Sequence, residues 1–538
     1  MAGSPDRADA VLGRLMLSFD GLDATDAAVE RLAAAPAAGV TLFRYLNVAS
    51  AGQVRSLTDA LQRAAASRNR VGALLVAADQ EGGQLIALGA DSTAFPGNMA
   101  LGATGDAELS EAVGRAIGRE ALAMGVNVVY APSCDLASNP ENPGLGIRSF
   151  GSEPEAVAEL AAAFVRGLRS AGVAATAKHF PGLGDVALDS HLGLAAVDHG
   201  RDRLESVELL PFAAAVDAGA DLVMSAHAAM VGLTGDPTLP ATLSSTVMGD
   251  VLRGELGFEG ITITDALDMA ALPQGPEQVV DAIAAIRAGV DLLLLGPSVS
   301  QRTRIENGLA HAARRGLFDD EAMARSHARI AALRGRLRVA RPDLDLVGGP
   351  EHRALAREVA DRSVTLVRDD AGLLPLRLSS AARILAVMPA PVDLTPADTS
   401  STVVPGLAAA LRRRHATVDE IVTGHPPTPA DIAAVAGRAA AVDLVVVGTL
   451  SASLDRAQAD LVTAILGTAT PTITVALRTP WDLAAYPAST VHAATYGIHA
   501  PSLDALADAL FDLRPFSGRL PVAIPGIAPV GHAVAVPA

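Results

Sequence analysis

Eight short apolar runs, spread over the first ~335 residues and separated by longer helical patterns, restrict this chain to an α/β fold built on a mostly parallel sheet. They are Leu15–Phe19, Val40–Phe43, Leu74–Ala78, Val126–Tyr130, Val173–Ala177, Leu222–Ser225, Ile261–Thr264 and Leu292–Leu295. Most are continuous rather than alternating, as in strands buried on both faces. Between them lie amphipathic stretches such as Ala107–Met124, in which Leu109, Val113 and Ile117 recur every fourth residue. Ser152 with Glu155 reads as a capping box opening another helix. Gly39, Gly125, Gly172, Gly219 and Gly289 each follow a helical pattern and precede a run, the place of a left-handed residue at a helix end. Eight strands with crossover helices predict an N-terminal (β/α)8 barrel of the TIM type. A doubly wound open sheet would more often have five or six strands.

Helical periodicity lapses over Arg341–Pro350, which reads as a linker. Alternation then restarts, with strands near Val364–Val367, Ile384–Met388, Leu444–Val447, Ile473–Ala476 and Val491–Thr495. Helices fit Leu407–Arg414, Pro429–Ala440, Arg456–Leu466 and Leu503–Leu513. The expectation is therefore a barrel over residues 1–340, a linker over 341–351, and a C-terminal α/β/α sandwich domain over 352–538.

With 42 Lys and Arg against 59 Asp and Glu, the chain carries a formal charge of −17. That balance excludes a duplex-binding role, which needs a basic face to neutralise phosphates. The single Cys134 excludes an internal disulfide and fits a reducing compartment. Met1–Ala10 lacks the basic and apolar regions of a signal peptide, and no apolar run reaches the ~18 residues of a membrane helix. The expectation is a soluble, cytoplasmic protein with no nucleic-acid or membrane partner.

One basic residue stands apart. Of the 42, only Lys178 is lysine. Arginine's plane and lysine's compact ammonium are not interchangeable where a point charge must fit a small space. Val173–Ala177 run into Lys178 with only Thr176 polar, so its ammonium is expected to leave a buried strand and enter a site. A parallel barrel gathers its chemistry at the C-terminal ends of its strands. There the sequence places Asp79 after the third run, Asp135 after the fourth, Lys178 and His179 closing the fifth, His227 after the sixth and Asp265 after the seventh. The loop FPGLGDVALDSHLGLA from Phe180 adds Asp189 and His191, spaced so that a turn lets the carboxylate orient the imidazole.

Three chemistries fit such a rim. A Schiff-base reaction would use Lys178, provided that its pKa were depressed. A metal-dependent hydrolase would draw on His179, His191, His227 and Asp265. Barrels of that kind often carry H-x-H after the first strand, where Ser18, Phe19 and Asp20 stand here. In glycoside cleavage, Asp265 attacks an anomeric carbon while another group manages protons.

The motifs DQEGG at Asp79–Gly83, NPENPGLGIRSFG at Asn139–Gly151, KHFPG at Lys178–Gly182, DSH at Asp189–His191, LPATLS at Leu239–Ser244 and GFEGITITDALDM at Gly257–Met269 occur in this order. Together they resemble glycoside hydrolase family 3, in its β-N-acetylglucosaminidase branch. SVTLVRDDAGLLPL from Ser363 and SGRLPV from Ser517 extend the resemblance over nearly the whole chain. The resemblance implies a retaining mechanism without metal or cofactor: Asp265 as nucleophile, His191 as acid/base on a mobile loop, and Asp189 as its partner. Asp79, Arg148, Lys178 and His179 match residues that hold hydroxyls of the non-reducing sugar. Gln84 and Ala87 replace two arginines usual in related sequences, the second commonly a substrate contact, and Leu183 replaces a frequent histidine.

Aromatics make up 3% of the chain, too few for a long glycan cleft, which favours one terminal sugar in a pocket. The implied activity is release of terminal β-GlcNAc from a disaccharide or muropeptide fragment. Its alternatives are a phosphorylase on the same site, whose attacking phosphate is repelled less by a neutral histidine than by a glutamate, and a non-catalytic sugar-binding protein.

Overall fold

Runs that are apolar at every position become strands with a core on each side. The computed structural model describes residues 7–23, 37–66, 72–337 and 341–536. The strands of its first half are β1 (Leu15–Leu17), β2 (Gly39–Thr41), β3 (Leu75–Ala78), β4 (Gln80–Gly82), β5 (Leu85–Ile86), β6 (Val128–Val129), β7 (Ala174–Phe180), β8 (Ala195–Val197), β9 (Leu222–Ser225), β10 (Ala228–Met230), β11 (Ile261–Thr264) and β12 (Leu293–Leu294). Eight of these form one sheet, in the order β11-β9-β7-β6-β3-β2-β1-β12, with every pairing parallel. A parallel bridge between Ile263 and Leu292 brings β11 back against the approach to β12 and closes the ring. All eight predicted strands are thus present, and the fold is the predicted barrel.

Alternation explains why the runs are apolar throughout. Met16, Leu75, Ala77, Val128, Ala174, Leu222, Met224, Ile261, Ile263 and Leu294 form the inner core. Their neighbours Leu15, Leu17, Val40, Val76, Ala78, Val129, Ala175, Val223 and Leu293 face the helices. Ile330, Leu333 and Leu337, on and just after the helix Asp320–Arg336, join the inner core, and the Arg334 carbonyl accepts the Ala73 amide.

Gly125, Gly172, Gly219 and Gly289 take the expected left-handed conformation. Gly39 does not: it lies in β2, where a Cβ would stand 2.3 Å from the Leu75 carbonyl oxygen, and the helix expected before it falls outside the described residues. The Ser152–Glu155 capping box also fails to form. The helix Pro154–Ser170 has Glu153 at its N-cap without a side-chain bond, and Pro154 supplies a first residue that needs no amide partner.

The second sheet contains β13 (Thr365–Asp369), β14 (Ile384–Pro389), β15 (Val418–Thr423), β16 (Leu444–Thr449), β17 (Thr472–Ala476) and β18 (Val491–Ala494). Its order is β13-β18-β17-β16-β14-β15, parallel except for β13. Ile384, Ala386 and Met388 pack with Leu407, Leu411, Leu503 and Leu506 on one face. Leu385 and Val387 pack with Val435, Leu461 and Ile465 on the other. Helices thus cover both faces, giving the expected sandwich. The stretch read as a linker holds a short 3-10 turn, Leu344–Leu346, and the helix Pro350–Ser363 begins within it. No helix among the described residues is long and apolar enough to cross a membrane.

This second unit grips the barrel at the hairpin β4–β5. Thr399 donates from its amide and its hydroxyl to the Gln84 carbonyl (2.8 and 3.1 Å), and its hydroxyl accepts the Ile86 amide at 3.1 Å. The His499 ring meets the Gly83 carbonyl at 3.0 Å, and the Gly97 amide donates to Tyr496.

Candidate active site

Two adjoining cavities open at the C-terminal ends of the barrel strands and share Arg148, His179, His191, Asp265 and Ala397. Eight of the nine residues singled out in the sequence line one or both: Asp79 and Lys178 stand in one, Asp135 and Asp189 in the other. The ninth, His227, lines neither. It is fully buried, its Nδ1 lies 2.8 Å from the Thr242 hydroxyl, and its Nε2 lies 3.2 Å from the Ala266 carbonyl. It therefore holds the backbone next to Asp265. A larger cavity of about 880 Å³ sits at the opposite barrel end. There Arg253 and Arg329 close on Asp291 (2.7 and 2.6 Å), an interlocked ion cluster in front of β12.

The innermost feature is an ion cluster that the sequence reading did not name. Glu81 is buried on β4, two residues after Asp79. Both its oxygens accept from Arg148, Oε1 from Nη2 at 2.8 Å and Oε2 from Nε at 2.9 Å, and Oε1 also lies 2.7 Å from Lys178 Nζ. Lys178 donates in addition to Asp79 at 2.6 Å. Burial pushes the Glu81 carboxyl up, but Arg148 and Lys178 outweigh it and hold it down at about 2. Burial likewise pulls Lys178 down, while Asp79 and Glu81 raise it above the ordinary lysine value. An ammonium held in that way is the reverse of a Schiff-base nucleophile, so the lysine chemistry considered above does not fit.

The two cations nonetheless keep something to offer. An ammonium has three donors and a guanidinium five. Two carboxylates occupy two of those on Lys178, and the bonds of Arg148 to Glu81, His179 and the Gly144 carbonyl leave it one N–H. Glu81→Gln is expected to cost about 3–5 kcal/mol, because it leaves two buried cations short of a partner. Since the folded carboxyl is depressed, its contribution is complete above the ordinary glutamate range and is lost as pH falls through about 2. Urea unfolding of the variant at neutral pH measures the loss, and an unchanged midpoint would contradict it.

β7 supplies the next layer. The peptide joining Lys178 and His179 is cis. His179 Nδ1 meets Asp135 at 2.7 Å, and its Nε2 lies 3.3 Å from Arg148 Nη2, which can only donate; the ring proton therefore sits on Nδ1. Asp135 also accepts the amides of His179 and Leu183 at 3.2 and 2.7 Å and the Ser133 hydroxyl at 2.9 Å. Burial raises its carboxyl, and His179 with these donors brings it below the usual range.

In the loop after β7, Gly184 lies against the Leu136 carbonyl, where a Cβ would come within 1.9 Å. In the DSH segment, Asp189 Oδ1 accepts the His191 amide at 2.9 Å and lies 2.7 Å from His191 Nδ1. That is the geometry expected from the two-residue spacing. The Ser190 carbonyl accepts the Ala271 amide, tying this loop to the segment after Asp265. Burial lowers the His191 pKa, but the bond to Asp189 and the charges of Asp265 and Asp189 raise it overall above the ordinary histidine value. Asp265 follows β11 and accepts the Ala266 amide on Oδ1 at 2.8 Å. Burial pushes its carboxyl up, and His179, His227 and His191 bring it below the usual range. A low-pKa carboxylate thus faces the same cavity as a histidine disposed to carry a proton.

The other wall comes from the second unit, which no sequence motif announced. Pro396, Ala397, Asp398 and Thr399 line the cavity beside Asp79 and Ala87, and Arg478 fixes Asp398 from behind at 2.8 Å. Of the two positions where relatives carry arginine, Ala87 faces the cavity, whereas the Gln84 side-chain amide is buried without a hydrogen-bond partner among the described residues.

Residues 12–333 match the family described as "Glycosyl hydrolase family 3 N terminal domain". A β-hexosaminidase A of Pseudoalteromonas piscicida is 38% identical over 376 residues, which is 65% of this chain and 62% of that protein. A β-hexosaminidase of Alkalilimnicola ehrlichii is 39% identical over 291 residues, 53% of this chain and 81% of that protein. The solved structure of a glycoside hydrolase family 3 β-N-acetylglucosaminidase from Paenibacillus sp. str. FPU-7 superposes with a TM-score of 0.90 at 35% identity, covering 97% of this chain and 99% of that one.

Proposed function

The chain belongs to glycoside hydrolase family 3, and on that premise we propose that it is a retaining, exo-acting β-N-acetylglucosaminidase. The observation that carries this reading is the Asp189–His191 pair at 2.7 Å in the cavity that also holds Asp265. In the first step the Asp265 carboxylate bonds to the anomeric carbon. The glycosidic C–O bond breaks, and the His191 proton goes to the leaving oxygen. In the second step His191 takes a proton from water as the water oxygen bonds to that carbon, and the ester to Asp265 breaks. Asp189 positions the ring and stabilises its charged form. Asp79, with the remaining donors of Lys178 and Arg148 and with His179, holds hydroxyls of the terminal sugar. Asp135 acts through His179.

Hydrolysis is favoured over phosphorolysis by the charges at hand. Lys178 and Arg148 are paired with Asp79 and Glu81, and Arg478 with Asp398. Among the described residues, Arg44 is the one lining cation without a carboxylate partner, too little to hold a doubly charged anion in a pocket rich in carboxylates. The proposed substrates are disaccharides or muropeptide fragments ending in β-GlcNAc, met in the cytoplasm. Incubation with 4-nitrophenyl β-GlcNAc should release free GlcNAc at a rate that phosphate does not change. GlcNAc 1-phosphate as product would identify a phosphorylase, and no turnover would leave a sugar-binding protein.

The pH profile carries a second expectation. Asp265 must be ionised and His191 protonated, so kcat/KM should fall on the acid side as Asp265 takes a proton, below the ordinary aspartate value. On the alkaline side it should fall as His191 loses its proton, above the ordinary histidine value. Asp189→Asn keeps an acceptor but removes the negative charge that stabilises the protonated ring, so the alkaline limb should move to lower pH. An unmoved limb would separate Asp189 from the proton transfer.

A further inference from the structure

The chain has eleven Phe, four Tyr and one Trp, and Tyr45 is the one aromatic side chain among them that stands exposed, at 58%. It sits in the short helix Arg44–Asn47 after β2, and it lines the cavity that contains Asp79, His191 and Asp265. An exposed ring on a mobile stem pays conformational entropy for any contact it makes, but this one is already fixed. Its hydroxyl donates to Asp393 Oδ2 at 2.5 Å and lies 2.9 Å from the Ser401 hydroxyl. Ser401 in turn donates to the same carboxylate from its amide (2.7 Å) and its hydroxyl (2.8 Å). Asp393 and Ser401 flank the segment Pro396–Thr399 that forms the opposite wall. An aromatic ring held still at a pocket mouth, wet on one side and anchored by its polar tip, is a preorganised stacking surface.

We propose that Tyr45 is the platform of a leaving-group subsite, on which the apolar face of a second pyranose ring stacks while the terminal sugar occupies the cavity beside Asp265. The subsite belongs jointly to both units of the chain, since the barrel contributes the ring and the second unit its anchor. It deepens the glycosidase reading and rests on it. A single platform also suits the scarcity of other surface aromatics: it gives one sugar beyond the point of cleavage a place, and no extended glycan.

Calorimetric binding to Asp265→Asn, in which the disaccharide survives, tests this. GlcNAc-β-1,4-GlcNAc is expected to bind more tightly than GlcNAc. Tyr45→Ala in the same background should reduce that advantage about three- to tenfold, the size of one aromatic face contact. Tyr45→Phe, which keeps the ring and loses the anchor, should retain most of it. Binding of GlcNAc with no gain from the second sugar, or a gain that Tyr45→Ala leaves intact, overturns the subsite alone. Failure of both sugars to bind overturns the carbohydrate reading and the subsite with it.

Discussion

Asp265→Asn is expected to fold as the wild type does, to bind sugar, and to lose at least roughly 10³-fold in kcat. The amide has nearly the same shape and still accepts the Ala266 amide through its oxygen. What it lacks is the negative charge that forms the ester. Asp265 takes part in no ion pair among the described residues, unlike Asp79, Asp135 and Asp189, so the substitution leaves no buried cation behind. A 2-fluoro sugar with a good leaving group should label the wild type on Asp265, read by mass spectrometry of the digested protein. Labelling on Asp79 or Asp135 would overturn the assignment.

His191→Ala should lose about 10²- to 10⁴-fold against a disaccharide, whose leaving alcohol needs a proton as the bond breaks. It should lose far less in the glycosylation step with 4-nitrophenyl β-GlcNAc, whose leaving group departs as an anion. The second half-reaction then becomes slow, because no base activates water. Azide needs no proton removed and should intercept the glycosyl-enzyme to give the β-glycosyl azide. Equal losses for both leaving groups, with no azide product, would show that His191 is not the acid/base. The side chain is partly exposed and is bonded through Asp189, so the variant should remain folded.

The residues that were legible in the sequence share a physical reason. A barrel strand is apolar on both faces, so runs such as Ile261–Thr264 stand out, and the chemistry is whatever follows each run. β15 gives no such run because it is an edge strand: in VDEIVT, Asp419 and Glu420 interrupt the apolar pattern and bond to arginines. Glu81 lies within DQEGG, where nothing in its type alone marks it out. Its separation of two residues from Asp79 in an extended segment was the available signal, since such residues share a face. That Lys178 is the single lysine points to the residue but not to its surroundings: Asp79 and Glu81 hold its ammonium, and neither carboxylate is local to it in the sequence. Tyr45 and its anchor Asp393 lie 348 residues apart, and no local pattern announces such a pair.

The grip of Thr399 on the hairpin β4–β5 also says something about how such a protein can change. The Thr399 amide and hydroxyl seat a segment of the second unit on main-chain groups of the barrel, and its neighbours then form a wall of the cavity. Side-chain identity hardly matters at the Gln84 and Ile86 end of this contact, but the path of the backbone does. The hairpin side of this contact can therefore change in sequence with little penalty, provided that no residue is inserted or deleted in the hairpin 80–86 or in the segment 393–401. Grafting the second unit of a relative onto this barrel should succeed only when both stretches travel together, so the unit of inheritance for this pocket is the pair of loops rather than either half of the chain.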